Sequence, residues 1–304
     1  MSDVIIKTNG LTKDYGKGRG IFDINLEVHK GEVFGFVGTN GSGKTTTIRN
    51  MMGFIRPDSG SSTIGGLDSW KSSADIMKNV SYVPGEIAFP ALKTGTEFLK
   101  SQAKYLGVTD FKYMNHIIEL LQLDPTANLK RMSKGMKQKT AIVAALMGEK
   151  QILVLDEPTT GLDPLMREAF LELIREEKQK GHTIFMSSHI FEEIESVCDR
   201  VAMIKDGHLI ATTSLYDLRH PAMKDFIIEF EQIPQKQQFI ETAPFSAAGT
   251  DANACTVQCH VEQLDTLFNM LKNYQIINLQ EIHLSLQQQF MRAYKEGLTQ
   301  NGNK

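Results

Sequence analysis

The stretch "GTNGSGKT" (Gly38–Thr45) constrains this chain more than any other part of it. It fits G-x-x-x-x-G-K-[ST], where glycines let the backbone curl until successive N–H groups point inward at a β-phosphate. A helix starting near Lys44 adds its positive end. In that pattern Lys44 bridges the β- and γ-phosphates and the Thr45 hydroxyl ligates Mg2+. The expected nucleotide contacts are therefore Gly38, Thr39, Asn40, Gly41, Ser42, Gly43, Lys44, Thr45 and Thr46. "EVFGFVG" ahead of the loop reads as a buried strand. "KTTTIRNMMGF" reads as a helix carrying Ile48, Met51, Met52 and Ile55 at helical spacing. By itself the loop says only that the chain binds a nucleotide, a property shared by GTPases, kinases and helicases.

The first ~220 residues alternate strand-like and helix-like patterns, the mark of an α/β domain. "QILVLDEP" is a second buried strand and "HTIFMSS" a third. Asp163-Pro164 reads as an N-cap followed by Pro at the first helical position, opening a helix through Phe170, Leu173 and Ile174 that stops near Gly181. "RVAMIKDGHLIATT" reads as a hairpin with Asp206-Gly207 as its two-residue turn. Residues 77–150 are mostly helical in pattern and form an expected lobe inserted into the sheet domain. A boundary near His220-Pro221 leads to a Gln-rich appendage over 221–304. There Phe226, Ile228 and Phe230 share one strand face, and Val257, Cys259 and Val261 another. Leu264, Leu267, Phe268 and Leu271 form a helical stripe.

Two carboxylates end the second strand. Asp156, at the end of a buried strand beside the phosphate loop, is placed to hold Mg2+ directly or through water. Glu157, one residue further, is placed to orient and deprotonate a water in line with the γ-phosphate. "MSKGMKQKTAIVAALM" (132–147) precedes that strand. Ser133 and the backbone N–H of Gly135 sit at the start of its helix and form a second anion site. The phosphate loop already holds this chain's nucleotide, so the second site can serve a γ-phosphate bound to another chain.

This "SKGMKQ" segment resembles the signature motif of ATP-binding cassette (ABC) proteins, usually written LSGGQ, and the resemblance covers about residues 4–218. It implies an ABC ATPase fold: a P-loop α/β core with an N-terminal antiparallel β portion, the helical subdomain and, here, a small C-terminal α/β appendage. It also implies ATP and Mg2+ as ligands. Tyr15 in "LTKDYG" resembles the aromatic that stacks on adenine. "TTGLDP" resembles the D-loop, placing Asp163 near a dimer seam, a role compatible with capping its helix. His189 in "MSSHIFEEIE" resembles the switch histidine that contacts the γ-phosphate across to Glu157. Where the family has a Q-loop Gln, "SYVPGEIAFP" has Gly85 and then Glu86. Either Glu86 takes over at the metal, or Thr45, Asp156 and waters suffice. Ile87, Phe89 and Leu92 are candidates for a docking surface toward a membrane partner, or simply for core.

The implied activity is ATP hydrolysis by a homo- or heterodimer that drives transport through permease subunits on separate chains. The "VPGE" loop, the "SKGMKQ" form and the appendage are similar to cassettes of multidrug or antimicrobial-peptide exporters. The expected location is cytoplasmic, held at the membrane face by the permease. The alternative is a soluble ABC-type ATPase acting on nucleic acid or ribosomes. Against it, the chain has one cassette, and the stretch between Lys44 and Ser133 has no room for a long coiled coil.

Bulk properties fit these expectations. The 304 residues are 41% hydrophobic and 23% charged, with a net charge of −3, so no basic field makes nucleic acid a default partner. No apolar run is long enough to span a bilayer, and the N-terminus lacks the pattern of a signal peptide. Three cysteines, Cys198, Cys255 and Cys259, suit a reducing compartment. Cys255, Cys259 and His260 are too few ligands for structural zinc.

Overall fold

Strands that carry no exposed face must be covered on both sides, and the centre of the phosphate-loop sheet is built from such strands. The computed structural model describes residues 3–282, 285–288, 290 and 291. In chain order the first unit contains β1 (Val4–Asp14), β2 (Gly20–His29), β3 (Val33–Val37), α1 (Lys44–Met51), β4 (Ser59–Ile64), β5 (Leu67–Asp68), α2 (Ser73–Asn79) and β6 (Val80–Val83). Next come α3 (Gly95–Leu106), α4 (Lys112–Leu120), α5 (Lys134–Leu146), β7 (Ile152–Asp156), α6 (Pro164–Gln179), β8 (Thr183–Ser188), α7 (Phe191–Val197), β9 (Arg200–Lys205) and β10 (His208–Ser214). A short helix, α8 (Leu215–Arg219), follows.

Two sheets make up this unit. β2-β1-β4-β5 is antiparallel, and the other has the order β10-β9-β3-β8-β7-β6. In the second, β9, β3, β8, β7 and β6 run parallel while β10 returns antiparallel on β9. β3, β7 and β8 are buried at every residue. The register pairs Val37 with Ser188 and Asp156 with Ser187. The carboxyl ends of β3, β8 and β7 therefore finish level, along the edge where open α/β sheets bind ligands. One core joins the two sheets: Ile21, Ile24 and Leu26 of the antiparallel sheet pack in the same cluster as Phe34, Phe36 and Phe185.

The hairpin turn is as its sequence predicts. Asp206 and Gly207 both have positive φ, 47° and 79°, which two-residue turns of type I′ require. The helix after the phosphate loop is shorter than its apolar spacing predicts. It ends at Met51 with Met52 as cap, so Ile55 lies outside it. Gly53 turns the chain at φ +69°, and a Cβ there would stand 2.0 Å from the Ser69 carbonyl oxygen. The helical lobe also begins later than residue 77. α2 and β6 belong to the sheet layer, with β6 paired to β7; the short run Val80–Val83 was masked by the helical patterns around it. The lobe proper is α3, α4 and α5.

The second unit spans Tyr216–Gln289, and Phe290 belongs with the first, where its ring packs on Phe191 at 5.2 Å. The division thus falls a few residues before the expected boundary. The second unit holds β11 (Met223–Phe230), α9 (Ile233–Thr242), β12 (Ser246–Gly249), β13 (Ala254–His260), α10 (Leu264–Leu271) and β14 (Ile276–Ile282). Its sheet order is β12-β13-β11-β14, antiparallel throughout, a split βαβ arrangement. Phe226, Ile228 and Phe230 pack against Phe239 and Leu267, with Cys255, Val257 and Cys259 on the same face. Two apolar residues leave that pattern. Val261 is exposed because the strand stops at His260, and Phe268 is exposed at the edge of the α10 stripe.

Candidate functional site

At the level edge of the parallel sheet, the phosphate loop leaves β3. Gly41 and Gly43 adopt φ +81° and +111°, which favours glycine. A Cβ on Gly38 would lie 2.3 Å from the Ile204 carbonyl oxygen and 2.6 Å from Ser42 Oγ. Gly43 caps α1 without any side-chain cap. The first-turn amides of α1 are therefore left for an anion. Lys44 is only 3% exposed; its ammonium donates to the carbonyls of Gly38 (2.8 Å) and Thr39 (3.0 Å) and lies 3.1 Å from Glu157 Oε1.

Asp156 ends β7 fully buried, and its Oδ1 accepts a 2.8 Å hydrogen bond from Ser187 Oγ. Burial pushes its pKa up, while Ser187 and Thr45 pull it down. Oδ2 has no geometrically good hydrogen bond. A hard divalent cation takes oxygen ligands, so an orphaned, buried carboxylate oxygen beside the Thr45 hydroxyl fits Mg2+.

Glu157 sits in the left-handed region at φ 47°, an uncommon place for a residue with a Cβ. Its N–H donates to the Ser187 carbonyl (3.2 Å) and to Ser187 Oγ (3.0 Å). This turns the carboxylate back over the phosphate loop. There Oε2 is 3.2 Å from His189 Nδ1 and accepts from Thr160 Oγ1 at 3.3 Å. Burial raises the Glu157 pKa, but the Lys44 charge and hydrogen bond, helped by His189 and Thr160, outweigh burial and hold it below its ordinary value.

Tyr15, half-exposed in the loop between β1 and β2, lines a cleft of about 430 Å³ with Gly41, Gly43, Lys44, Thr45 and Thr46. Arg19 and Asp206 line it too. The sequence marks Asp206 only as a turn residue and Arg19 not at all, because only the fold brings the β1–β2 and β9–β10 turns beside the phosphate loop. A larger cleft of about 670 Å³ runs along α6, but on its wall Glu168, Glu172 and Glu176 outnumber Arg175, a net negative lining that disfavours polyphosphate.

Ser133 and Gly135 do not line the Lys44 cleft. Ser133 caps α5, its Oγ accepting from Met136 N–H at 3.2 Å. Gly135 faces the neighbouring loop, and a Cβ there would come 2.7 Å from the Gly161 carbonyl oxygen. Asp163 caps α6 through Met166 N–H at 3.0 Å. Glu86 is exposed, and no hydrogen bond or ion pair joins it to Thr45 or Asp156. A side chain at residue 85 would point there instead, since a Cβ on Gly85 would be 3.2 Å from Asp156 Oδ2. Ser187 was missed in the sequence. A lone Ser in a buried strand carries no signal until the register sets it beside both carboxylates.

The ABC transporter family model matches residues 21–160. The chain is 38% identical over 209 residues to the bacitracin transport ATP-binding protein BcrA of Bacillus licheniformis, covering 68% of each. The chain belongs to the ABC transporter ATP-binding proteins. It is also 31% identical over 275 residues to the Nod factor export ATP-binding protein I of Burkholderia pseudomallei, covering 86% of this chain and 90% of that one. A solved ATP-binding subunit of an ABC transporter superposes with a TM-score of 0.63 at 30% identity, covering 71% of this chain and 92% of that one. As an ABC transporter ATPase, the chain binds ATP and hydrolyses it. Among the described residues, no helix is long and apolar enough to cross a membrane.

Proposed function

We propose that this ABC ATPase works as one half of a dimer whose ATP-driven closure powers export through membrane subunits on separate chains. The observation that carries this reading is the placement of Glu157 between Lys44 and His189, with Ser133 and Gly135 outside the cleft. One copy holds a phosphate loop and a water-activating carboxylate. A second copy would supply the donors at Ser133 and Gly135.

In this reading Tyr15 stacks on adenine, and the Gly38–Thr46 segment holds the phosphates. Glu157, kept ionised by Lys44, takes the proton of the attacking water while His189 orients the carboxylate and the γ-phosphate. Lys44 stabilises charge on the transferring group. Thr45 and Asp156 would hold Mg2+, which would supply positive charge to offset the charge developing in the transfer. Asp163 lies at the seam between copies. ATP holds the closed dimer more tightly than ADP does, and that difference drives motion.

An apolar groove of about 270 Å³ lined by Ile87, Phe89, Phe98 and Tyr105 supports docking of the membrane partner beside Gly85. Export, and antimicrobial agents as cargo, are supported by the likeness to transport and export cassettes. The decisive experiment is Glu157→Gln. It should bind ATP, pair stably and hydrolyse about a hundredfold more slowly or worse. Normal turnover by that variant would remove Glu157 from its role.

A further inference from the structure

A second buried carboxylate lies beside Glu157 and His189, and the mechanism above leaves it unused. Glu193, in the first turn of α7, is 5% exposed. Its Oε2 accepts from Thr159 Oγ1 at 2.8 Å and from Ser188 Oγ at 3.0 Å. Thr159 follows Glu157 by one intervening residue, and Ser188 directly precedes His189. Ser188 Oγ in turn accepts from Ile190 N–H at 3.0 Å, so both neighbours of His189 are tied to one hydroxyl.

The other oxygen, Oε1, is buried without a partner. Burial pushes the Glu193 pKa up, against the hydrogen bonds of Thr159 and Ser188 and the fields of Arg167 and His189. A group held at that cost is a poor choice for packing alone, because an apolar side chain would fill the same inward position of α7 beside Ile194 and Val197.

We propose that Glu193 is a positioning residue that clamps the loop after Glu157 to the loop carrying His189, fixing the gap between them. The inference rests on Glu157 and His189 acting at the γ-phosphate as proposed above. One tether holds the chain just past Glu157 and the other just before His189, and both end on a single carboxylate oxygen. Between those anchors the Glu157–His189 contact is set at 3.2 Å. His189 is 38% exposed, so a slack anchor frees its ring toward solvent. The clamped loop also carries Gly161, whose carbonyl faces Gly135, so the tether extends to the signature helix. Nucleotide binding at Gly38–Thr45 does not use these contacts, so the effect falls on turnover.

The test uses the full-length chain and compares ATP turnover, ATP Kd and thermal midpoint for Glu193→Ala, Glu193→Gln, Thr159→Val and Ser188→Ala, with Glu157→Gln alongside. Gln keeps an accepting oxygen at Oε2 and places its amide where Oε1 has no partner. Glu193→Ala should lower kcat about tenfold or more, with Kd and KM within about twofold, since small misplacements of reacting groups are costly. Glu193→Gln should recover to within about threefold of the parent. Thr159→Val and Ser188→Ala should each lose part of kcat and add nothing on top of Glu193→Ala.

Parental kcat in Glu193→Ala overturns the clamp. So do parallel losses of kcat, Kd and thermal midpoint in Glu193→Ala while Thr159→Val and Ser188→Ala keep full kcat. If Glu193→Ala does not fold, Thr159→Val decides alone. Glu157→Gln separates the two ideas: if it turns over normally, the proposed mechanism fails; if it is inactive while Glu193→Ala is unimpaired, the clamp alone fails.

Discussion

Lys44 and Glu157 form a 3.1 Å ion pair over the phosphate loop. Lys44 is thus held by two loop carbonyls and by the carboxylate proposed above to activate water. In the proposed mechanism an incoming γ-phosphate takes Lys44 from Glu157 and meets the negative charge of that carboxylate.

Glu157→Gln should therefore bind ATP more tightly than the parent, by about fivefold, the order of 1 kcal/mol expected for a partly exposed pair. Titration calorimetry at neutral pH measures it. Because the Glu157 pKa is depressed, the pair is intact above the ordinary value of 4.5 and is lost as pH falls through the lower, folded value. The difference between parent and variant should shrink over that acid range and no higher.

Glu177 anchors the helical lobe. It is fully buried, accepts from Tyr113 Oη on α4, and contacts Lys180 and His182 at 2.7 Å each. Burial raises its pKa, but Lys180, Tyr113 and His182 overcome burial and leave it lowered. Glu177→Ala removes the acceptor shared by Tyr113, Lys180 and His182 and should cost about 1–3 kcal/mol; Tyr113→Phe should cost about 1 kcal/mol. Urea denaturation measures both. The Glu177 contribution is complete above pH 4.5 and disappears as pH drops below that value through the folded pKa.

Metal dependence separates residues 85 and 86. Glu86→Ala should keep the Mg2+ concentration needed for half-maximal turnover within about twofold, because the exposed side chain makes no contact at Asp156. Gly85→Gln places a side chain against Asp156 Oδ2 and should shift that concentration. A shift in the first variant and none in the second reverses the assignment.

Gly135→Ala drives a methyl group to 2.7 Å from the Gly161 carbonyl oxygen. The α5 start and the loop before α6 must part, at about 1–3 kcal/mol. Turnover should fall while ATP affinity at the phosphate loop is retained, as equilibrium binding beside steady-state kinetics will show.

Much of this site was readable because phosphate chemistry imposes fixed spacing. Gly38–Thr45 needs its glycines where the backbone turns, and Asp156-Glu157 must end a buried strand. What stayed hidden depends on register. Ser187, Glu193 and Thr159 acquire meaning only when β8 lies beside β7, and Arg19 and Asp206 only when two distant turns meet. Local pattern also misled where a tertiary feature cut an element short. Gly53 ends α1 before Ile55, and β6 is only four residues long amid helical periodicity. The Gln-rich appendage showed its faces correctly on β11, but the split βαβ order lies in the pairing of strands.

The left-handed backbone of Glu157 has an evolutionary corollary. A side chain in that conformation gives up about 1 kcal/mol or more that glycine would keep. Selection for thermal endurance alone would erode the carboxylate at this point of the chain, so its persistence in a lineage is evidence that turnover is still under selection there.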